Sequence, residues 1–351
     1  MEWLRQNNIY PSNTVPLTEQ RLRLQGTLSK AWFRAEFADE TSLFYQKANQ
    51  PSVPVPTYNP VPAWNASWNL MNTTQTLITN RIDRAYVQFN WAPVELRVGK
   101  QVIATGVGHI FNAISQVPRY PFVVVDPEYP VTEDAATVVW DGPLVLEARF
   151  LPKVPGQKDH NFHLRAKGTK DGFDVALTAG RSDDKMYVGL ESAGNLGESL
   201  LRAELVGYDD VGVDYVQSLV GFDTVFSASW SAQFEVFYNG FGSLKPYLLQ
   251  PLLHRPAPYR GKYYAGATVT WETTARLKTN LLAITNLADP SVLFHLYFNF
   301  SLWQSVDLML GQFLNVGGST AEFGGKYILP IFPQIQWGLP DLTYIAVKYY
   351  F

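Results

Sequence analysis

The chain has 351 residues, a net charge of -3 and 14% aromatic residues, with 19 Tyr, 21 Phe and 10 Trp. Such a balance excludes nucleic acid as a partner, which calls for a basic face, and the absence of cysteine excludes disulfides and thiolate metal or redox sites. No apolar run reaches the roughly 18 residues of a transmembrane helix, and mean hydropathy is only -0.09 despite the aromatics, as alternating apolar and polar residues would give.

The first residues, Met1-Glu2-Trp3-Leu4-Arg5, lack the basic and apolar regions of a secretory signal. The chain is therefore expected to be a mature form with a supplied Met. The first clear alternating segment is 21–28, and the turn Ser29-Lys30-Ala31 follows it. From Lys47 to about Asn80 the sequence reads as a long loop, extended by Pro51, Pro54, Pro56, Pro60 and Pro62. In 84–91, Ala85, Val87, Phe89 and Trp91 oppose Arg84, Tyr86, Gln88 and Asn90. After the turn Ala92-Pro93, Val94, Leu96 and Val98 oppose Glu95, Arg97, Gly99 and Gln101. A second long connection runs from Ala104 to about Asp134. Leu144, Leu146, Ala148 and Phe150 then oppose Glu147 and Arg149, and Phe162, Leu164 and Ala166 oppose His163, Arg165 and Lys167. Similar stripes recur, with Asp141-Gly142-Pro143, Lys170-Asp171-Gly172 and Ser182-Asp183-Asp184 as turn signals. Long connections also follow Asn239 (to about Lys262) and Leu314 (to about Leu342). The longest stripe is Phe294, Leu296, Phe298, Phe300 and Leu302 against His295, Tyr297, Asn299 and Ser301. At the end, Ile345, Val347, Tyr349 and Phe351 share one side of a strand, opposite Tyr344, Ala346, Lys348 and Tyr350.

About 17 such segments predict an all-β chain in one domain, 1–351: a transmembrane antiparallel up-and-down barrel of about 16–18 strands. The first counted strand and the last run in the same direction, so an even ring requires one more strand before Arg21, within 2–10. A soluble β-sandwich also alternates. Three features favour lipid over a second protein layer. The polar faces carry ion after ion, the apolar faces carry almost none, and Trp32, Trp91, Trp140, Trp230, Trp271 and Trp303 fall at segment ends, where interfacial rings settle.

In a barrel the polar face turns inward. The expected pore-lining residues are Arg34, Arg84, Glu95, Arg97, Glu147, Arg149, Arg165, Lys167, Arg202, Glu204, Glu235, Arg276 and Lys278. Over the whole inward face, with Arg21, Arg23 and Lys348 and with Glu36, Asp174, Glu191, Asp223, Glu272 and Asp307 added, twelve basic residues against ten acidic ones predict a weak anion preference. At about 16 strands side chains alone do not fill the interior, so any narrowing must come from a loop. The candidate is 105–134, with Phe111, Arg119, Tyr120, Asp126 and Glu128 as constriction residues. Folded inward, its acids Asp126, Glu128, Glu133 and Asp134 would oppose Arg84, Arg97 and Arg149.

The aromatic C-terminal strand ending on Phe351 resembles the assembly signal of Gram-negative outer-membrane β-barrels. The run Val98-Gly99-Lys100-Gln101 and the later Glu322-Phe323-Gly324 are similar to poorly characterised proteobacterial porin-like barrels; Lys100 stands where those have Arg, and Thr105 where they have Trp. Phosphate-selective and alginate-export porins are similar in style. The resemblance implies a bacterial outer-membrane location, membrane lipid as surroundings, and a channel for small hydrophilic solutes, with no cofactor and no metal.

Two other classes compete. Outer-membrane hydrolases place a His at the rim beside an acid or nucleophile. Of the five histidines, His160 and His163 fall on opposite faces, and His295 points inward within possible reach of Ser301 or Asp307. A lining residue is the simpler reading, and the chain is not expected to be an enzyme. A scaffold barrel would instead house or anchor a protein partner, for an electron conduit or a secretion or surface assembly. The apolar, Pro-rich 244–259 is the candidate contact patch.

Overall fold

Alternation at period two builds strands, and the computed structural model has twenty-one among the residues it describes. It describes residues 2–10, 13–46, 64, 66–114, 132–153, 160–182, 185–210, 213–244, 259–318, 321–324, 327–329, 332–337 and 341–351. The first six strands are β1 (Glu2–Tyr10), β2 (Asn13–Lys30), β3 (Phe33–Gln46), β4 (Ser67–Asn72), β5 (Thr76–Trp91) and β6 (Val94–Val102). Next come β7 (Thr132–Asp141), β8 (Val145–Leu151), β9 (Asn161–Lys170), β10 (Phe173–Ser182), β11 (Lys185–Leu196), β12 (Ser199–Asp209) and β13 (Tyr215–Ser227). The rest are β14 (Trp230–Asn239), β15 (Tyr263–Thr274), β16 (Leu277–Asn286), β17 (Ser291–Trp303), β18 (Val306–Val316), β19 (Tyr327–Leu329), β20 (Phe332–Trp337) and β21 (Leu342–Tyr349).

Nineteen strands form one antiparallel sheet, and β19 and β20 form a separate hairpin. Each strand pairs with its sequence neighbour, except that β3 pairs with β5 and β18 with β21. β1 then meets β21 through Asn7↔Thr343 and Asn8↔Leu342, so the pairings return to their first strand. β4 pairs only with the upper part of β5, which leaves eighteen strands around the ring. The strand required before Arg21 is β1, registered against β2 from Glu2↔Arg21 to Tyr10↔Asn13. With it the parity closes: both termini and the turns at Ala31-Trp32, Asp171-Gly172 and Gly197-Glu198 lie at one end. The longer connections lie at the other.

The expected loop from Lys47 to Asn80 is shorter than anticipated. β4 and the first residues of β5 occupy its second half, joined by a turn in which the Thr73 hydroxyl accepts the Gln75 and Thr76 N–H groups. Ser67–Asn72 does not alternate, and all six residues are exposed, so no stripe marked it.

The apolar stripes face outward. On β17, Leu296, Phe298 and Phe300 are exposed, while Leu293 and His295, on the other face, are buried. Trp32, Trp91, Trp140, Trp230, Trp271 and Trp303 lie at the end that holds both termini, where Trp230 stacks on Trp271 with centroids 4.9 Å apart and Phe89 stacks on Trp91 at 5.2 Å. Lys100 falls on the apolar side of β6. It is matched there by Asp134 of β7 at 3.1 Å, and the Trp64 N–H reaches the same carboxylate at 2.8 Å.

Candidate functional site: the barrel interior

Ion pairs cover the inner face from β2 to β14. Charges two residues apart pair along their own strand, as in Arg34–Glu36 (2.8 Å), Glu95–Arg97 (2.9 Å) and Glu147–Arg149 (2.8 Å). Others bridge strands. Arg84 reaches Glu36 at 2.9 Å, Arg165 holds Glu191, and Lys167 meets Asp174 at 2.6 Å. Lys278 and Glu272 pair at 2.9 Å near the turn end, both about half exposed. Thus the expected inner residues Arg34, Arg84, Glu95, Arg97, Glu147, Arg149, Arg165, Lys167 and Lys278 all sit in ion pairs. Arg276 is placed differently. It lies in the tight turn between β15 and β16, at the rim and not along the wall, because the Thr274 hydroxyl accepts its N–H and closes the turn there.

The exposure within these pairs is lopsided. The side chain of Arg34 is 46% exposed against 3% for Glu36; for Arg81 and Glu40 the values are 49% and 4%. Arg165 keeps 23% against 1% for Glu191. In these three pairs the carboxylate lies beneath and the guanidinium faces the water, whereas Arg97–Glu95 and Arg149–Glu147 are covered about equally and Asp174 is as open as Lys167.

The second feature is the chain that leaves β6. Residues 103–114 do not rise over the rim. They cross to β12 and β14, which stand six and eight places round the eighteen-strand ring. There Glu204 accepts four backbone N–H groups, Val107 and Gly108 on Oε1 and Ala113 and Ile114 on Oε2. Glu235 accepts three, from His109 (2.7 Å), Ile110 (3.0 Å) and Phe111 (2.8 Å). Arg202 sits between the carboxylates. It donates to Glu235 and to the Val107 carbonyl (2.8 Å), and it grips Asp223. A carboxylate holds up to about four donors, so backbone amides and acids make a complete match.

Local sequence makes the loop tight enough to aim those amides. Gly106 has φ +84, and a Cβ on Gly108 would fall 2.0 Å from the Phe111 carbonyl. Phe111 then enters an aromatic cluster, stacked on Phe237 (5.3 Å) and edge-on to Tyr259 (5.1 Å). Tyr208 donates to the Ala113 carbonyl at 2.6 Å. Arg149 anchors the start of the loop at the Ala104 carbonyl, 3.3 Å away.

The described part of the expected loop, up to Ile114 and including Phe111, thus turns inward, but its fastening differs from the expectation. Glu133 and Asp134 are not loop acids facing Arg84, Arg97 and Arg149. They are β7 residues paired with Lys153 and Lys100, since the sheet resumes at Thr132. The three arginines instead pair with Glu36, Glu95 and Glu147. Arg119, Tyr120, Asp126 and Glu128 lie outside the described residues, as do His254 and nearly all of the 244–259 patch.

A second fastening closes the wall from β14 to β18. Glu322 accepts the Arg260 N–H (2.8 Å), the Tyr264 hydroxyl (2.5 Å) and an Asn286 amide proton (2.7 Å). Burial pushes its carboxyl above the usual range, although these donors pull the other way. Phe323 next to it is fully buried in the cluster that also holds Phe111. The Glu322-Phe323-Gly324 stretch thus tethers the segment after β18 inside the mouth.

His295 faces inward as expected, but not toward a nucleophile or acid. It bonds the Tyr344 hydroxyl at 2.9 Å and stacks on Phe313 at 3.7 Å. Ser301 and Asp307 pair with each other six residues along β17. His160 caps the Lys153 N–H while His163 bonds Tyr187 on the inner face. Among the described residues no group of three His, Cys, Asp or Glu side chains is placed to hold a metal.

No family model matches the chain, and no curated protein matches it in sequence. In fold it is similar to solved porin-like outer-membrane barrels. OccAB2 of Acinetobacter baumannii superposes with TM-score 0.56 at 13% identity, over 99% of this chain and 95% of that one. OpdK of Pseudomonas aeruginosa, solved with vanillate, gives 0.55 at 10% identity over 99% and 96%. OccD3 of the same organism gives 0.52 at 10% over 99% and 90%. The fold is thus that of a porin-like β-barrel.

Proposed function

We propose that the protein is a channel of the bacterial outer membrane through which small hydrophilic solutes diffuse passively, with a weak preference for anions. The observation that carries this reading is the lopsided wall. Guanidiniums of Arg34, Arg81 and Arg165 face the interior while their carboxylate partners lie buried beneath them. An anion drifting along the wall meets the exposed ends of the pairs first. The paired acids keep the net field small, so the preference is weak. An eighteen-strand ring is also wider than side chains fill, and the loop at 103–114 lies against one wall.

Planar-bilayer recording tests the reading. Stepwise openings with a reversal potential of anion-selective sign in a KCl gradient support it. Cation selectivity removes the preference, and a folded but electrically silent barrel removes the channel in favour of a scaffold for a protein partner. Vanillate, present with the neighbour OpdK, is a reasonable first organic anion to add as a blocker.

A further inference from the structure

Between Ile103 and Ile114 the sequence holds a single ionisable side chain, His109. Its neighbours Gly108, Phe111, Ala113 and Ile114 are buried, yet the His109 side chain is 39% exposed. Its position is fixed from two sides. The backbone N–H donates to Glu235 at 2.7 Å, and ring Nδ1 faces the Gln233 amide nitrogen at 2.8 Å. Gln233 and Glu235 share the inner side of β14, so the water that this ring meets is water inside the barrel. With the Gln233 amide donating to Nδ1, the neutral ring carries its proton on Nε2.

We propose that His109 is a specificity-determining residue of the channel, a titratable charge on the crossing loop that makes ion preference depend on pH. The inference rests on the channel reading above. The charged groups facing the ring are Asp223 on β13, whose Oδ2 is 3.8 Å from Nδ1, Glu235 on β14, and Arg202 and Glu204 on β12. Arg202 is engaged by Asp223 and Glu235, and Glu204 by four loop amides. Asp223, 3.8 Å from Nδ1, would pair with the protonated ring and offset part of its charge, so the charge added to the interior is a partial one. On protonation, Nδ1–H needs an acceptor. Turning the Gln233 amide over supplies one, and Asp223 is the next nearest. The loop backbone stays where it is, and the added partial positive charge faces the interior. Histidine is the side chain whose charge changes between about pH 8 and pH 5, so anion preference rises on acidification.

The test is reversal potential in a KCl gradient across planar bilayers, at pH values between those limits, for the full chain and for His109→Gln and His109→Lys. All three keep the backbone N–H bond to Glu235, and heat-modifiable migration on a gel confirms that each barrel is folded. In the parent chain the chloride-to-potassium permeability ratio should rise about twofold on acidification, the order expected for one partly offset charge at short range in water. His109→Gln should lose the rise, and His109→Lys should hold the acid value at every pH. A flat profile in the parent chain, or the same rise in His109→Gln, overturns the inference and leaves the channel reading standing. Silence at every pH removes both.

Discussion

Exchanging Glu204 for Gln tests the fastening of the loop at its densest point. The carboxylate spends both oxygens on the loop: Oε1 takes the Val107 and Gly108 N–H groups, and Oε2 takes those of Ala113 (2.7 Å) and Ile114 (3.3 Å). An amide is nearly the same size but offers one oxygen and one NH2. Whichever way it turns, two buried backbone donors face another donor. Hydrogen bonds to a charged group contribute about 1.5–3 kcal/mol each, with the 3.3 Å bond at the low end. The two that survive lose their charge assistance. The loss is about 3–5 kcal/mol, which shifts the ratio of fastened to released loop by roughly 100- to 4000-fold. Single-channel recording reads this directly. A parent channel with a fixed loop gives quiet open levels, whereas Glu204→Gln should give excess open-channel noise and excursions to higher conductance. Glu95→Gln, at a half-exposed ion pair that does not touch the loop, should leave the trace unchanged. If Glu204→Gln records as quietly as the parent, at the same conductance, the carboxylate is not what holds the loop.

Arg202→Met should be more damaging to the whole barrel, because it strands Glu235 and Asp223 without their shared cation; about 3–5 kcal/mol is expected, and an unchanged urea midpoint in lipid vesicles would contradict it. A double-mutant cycle of Trp230→Ala and Trp271→Ala should return a coupling of about 0.5–1.5 kcal/mol for the stacked pair, and zero coupling would mean that the rings do not meet in the bilayer. The third expectation concerns Glu322, whose folded carboxyl binds its proton more readily than an unfolded one because it is buried. Its contribution to stability is full below the ordinary carboxylate range and is lost as pH rises through the raised value. Between about pH 4 and pH 8 the parent should therefore lose more stability than Glu322→Gln; parallel profiles would refute this.

The strands that sequence displays best are those whose two faces meet different solvents. On β17, Phe294, Leu296, Phe298, Phe300 and Leu302 face outward and His295, Tyr297, Asn299 and Ser301 face inward, so period two is written in full. β4 has neither face covered, and its sequence does not alternate. The wall ions follow from the same logic, and Arg276 escaped it because a turn residue has no parity. The fastening was legible only in halves. The sequence shows two inward acids on neighbouring even strands and a glycine-bearing loop, Gly106 and Gly108, far away in the chain. Their meeting involves backbone amides, which every residue carries, so no side-chain pattern announces it. The expectation of acids on the loop facing arginines on the wall sought a side-chain match where the molecule uses main chain.

That choice of bond has a consequence for the electrostatics of the interior. The run Ala104-Thr105-Gly106-Val107-Gly108 brings no side-chain charge into the barrel, so whatever grips it must accept backbone N–H groups, and acids do this best. Glu204 and Glu235 are thereby turned toward the loop and buried, as Glu36, Glu40 and Glu191 are buried under arginines elsewhere. In both places the acid is the inner, structural member, and what remains facing the water is guanidinium or, at the loop tip, imidazole. Two independent needs, satisfying loop amides and pairing wall arginines, thus bury these five carboxylates, while Asp174 and Glu272 stay exposed in their pairs with Lys167 and Lys278. The near-neutral formal balance of the chain conceals this, because it counts buried and exposed charges alike.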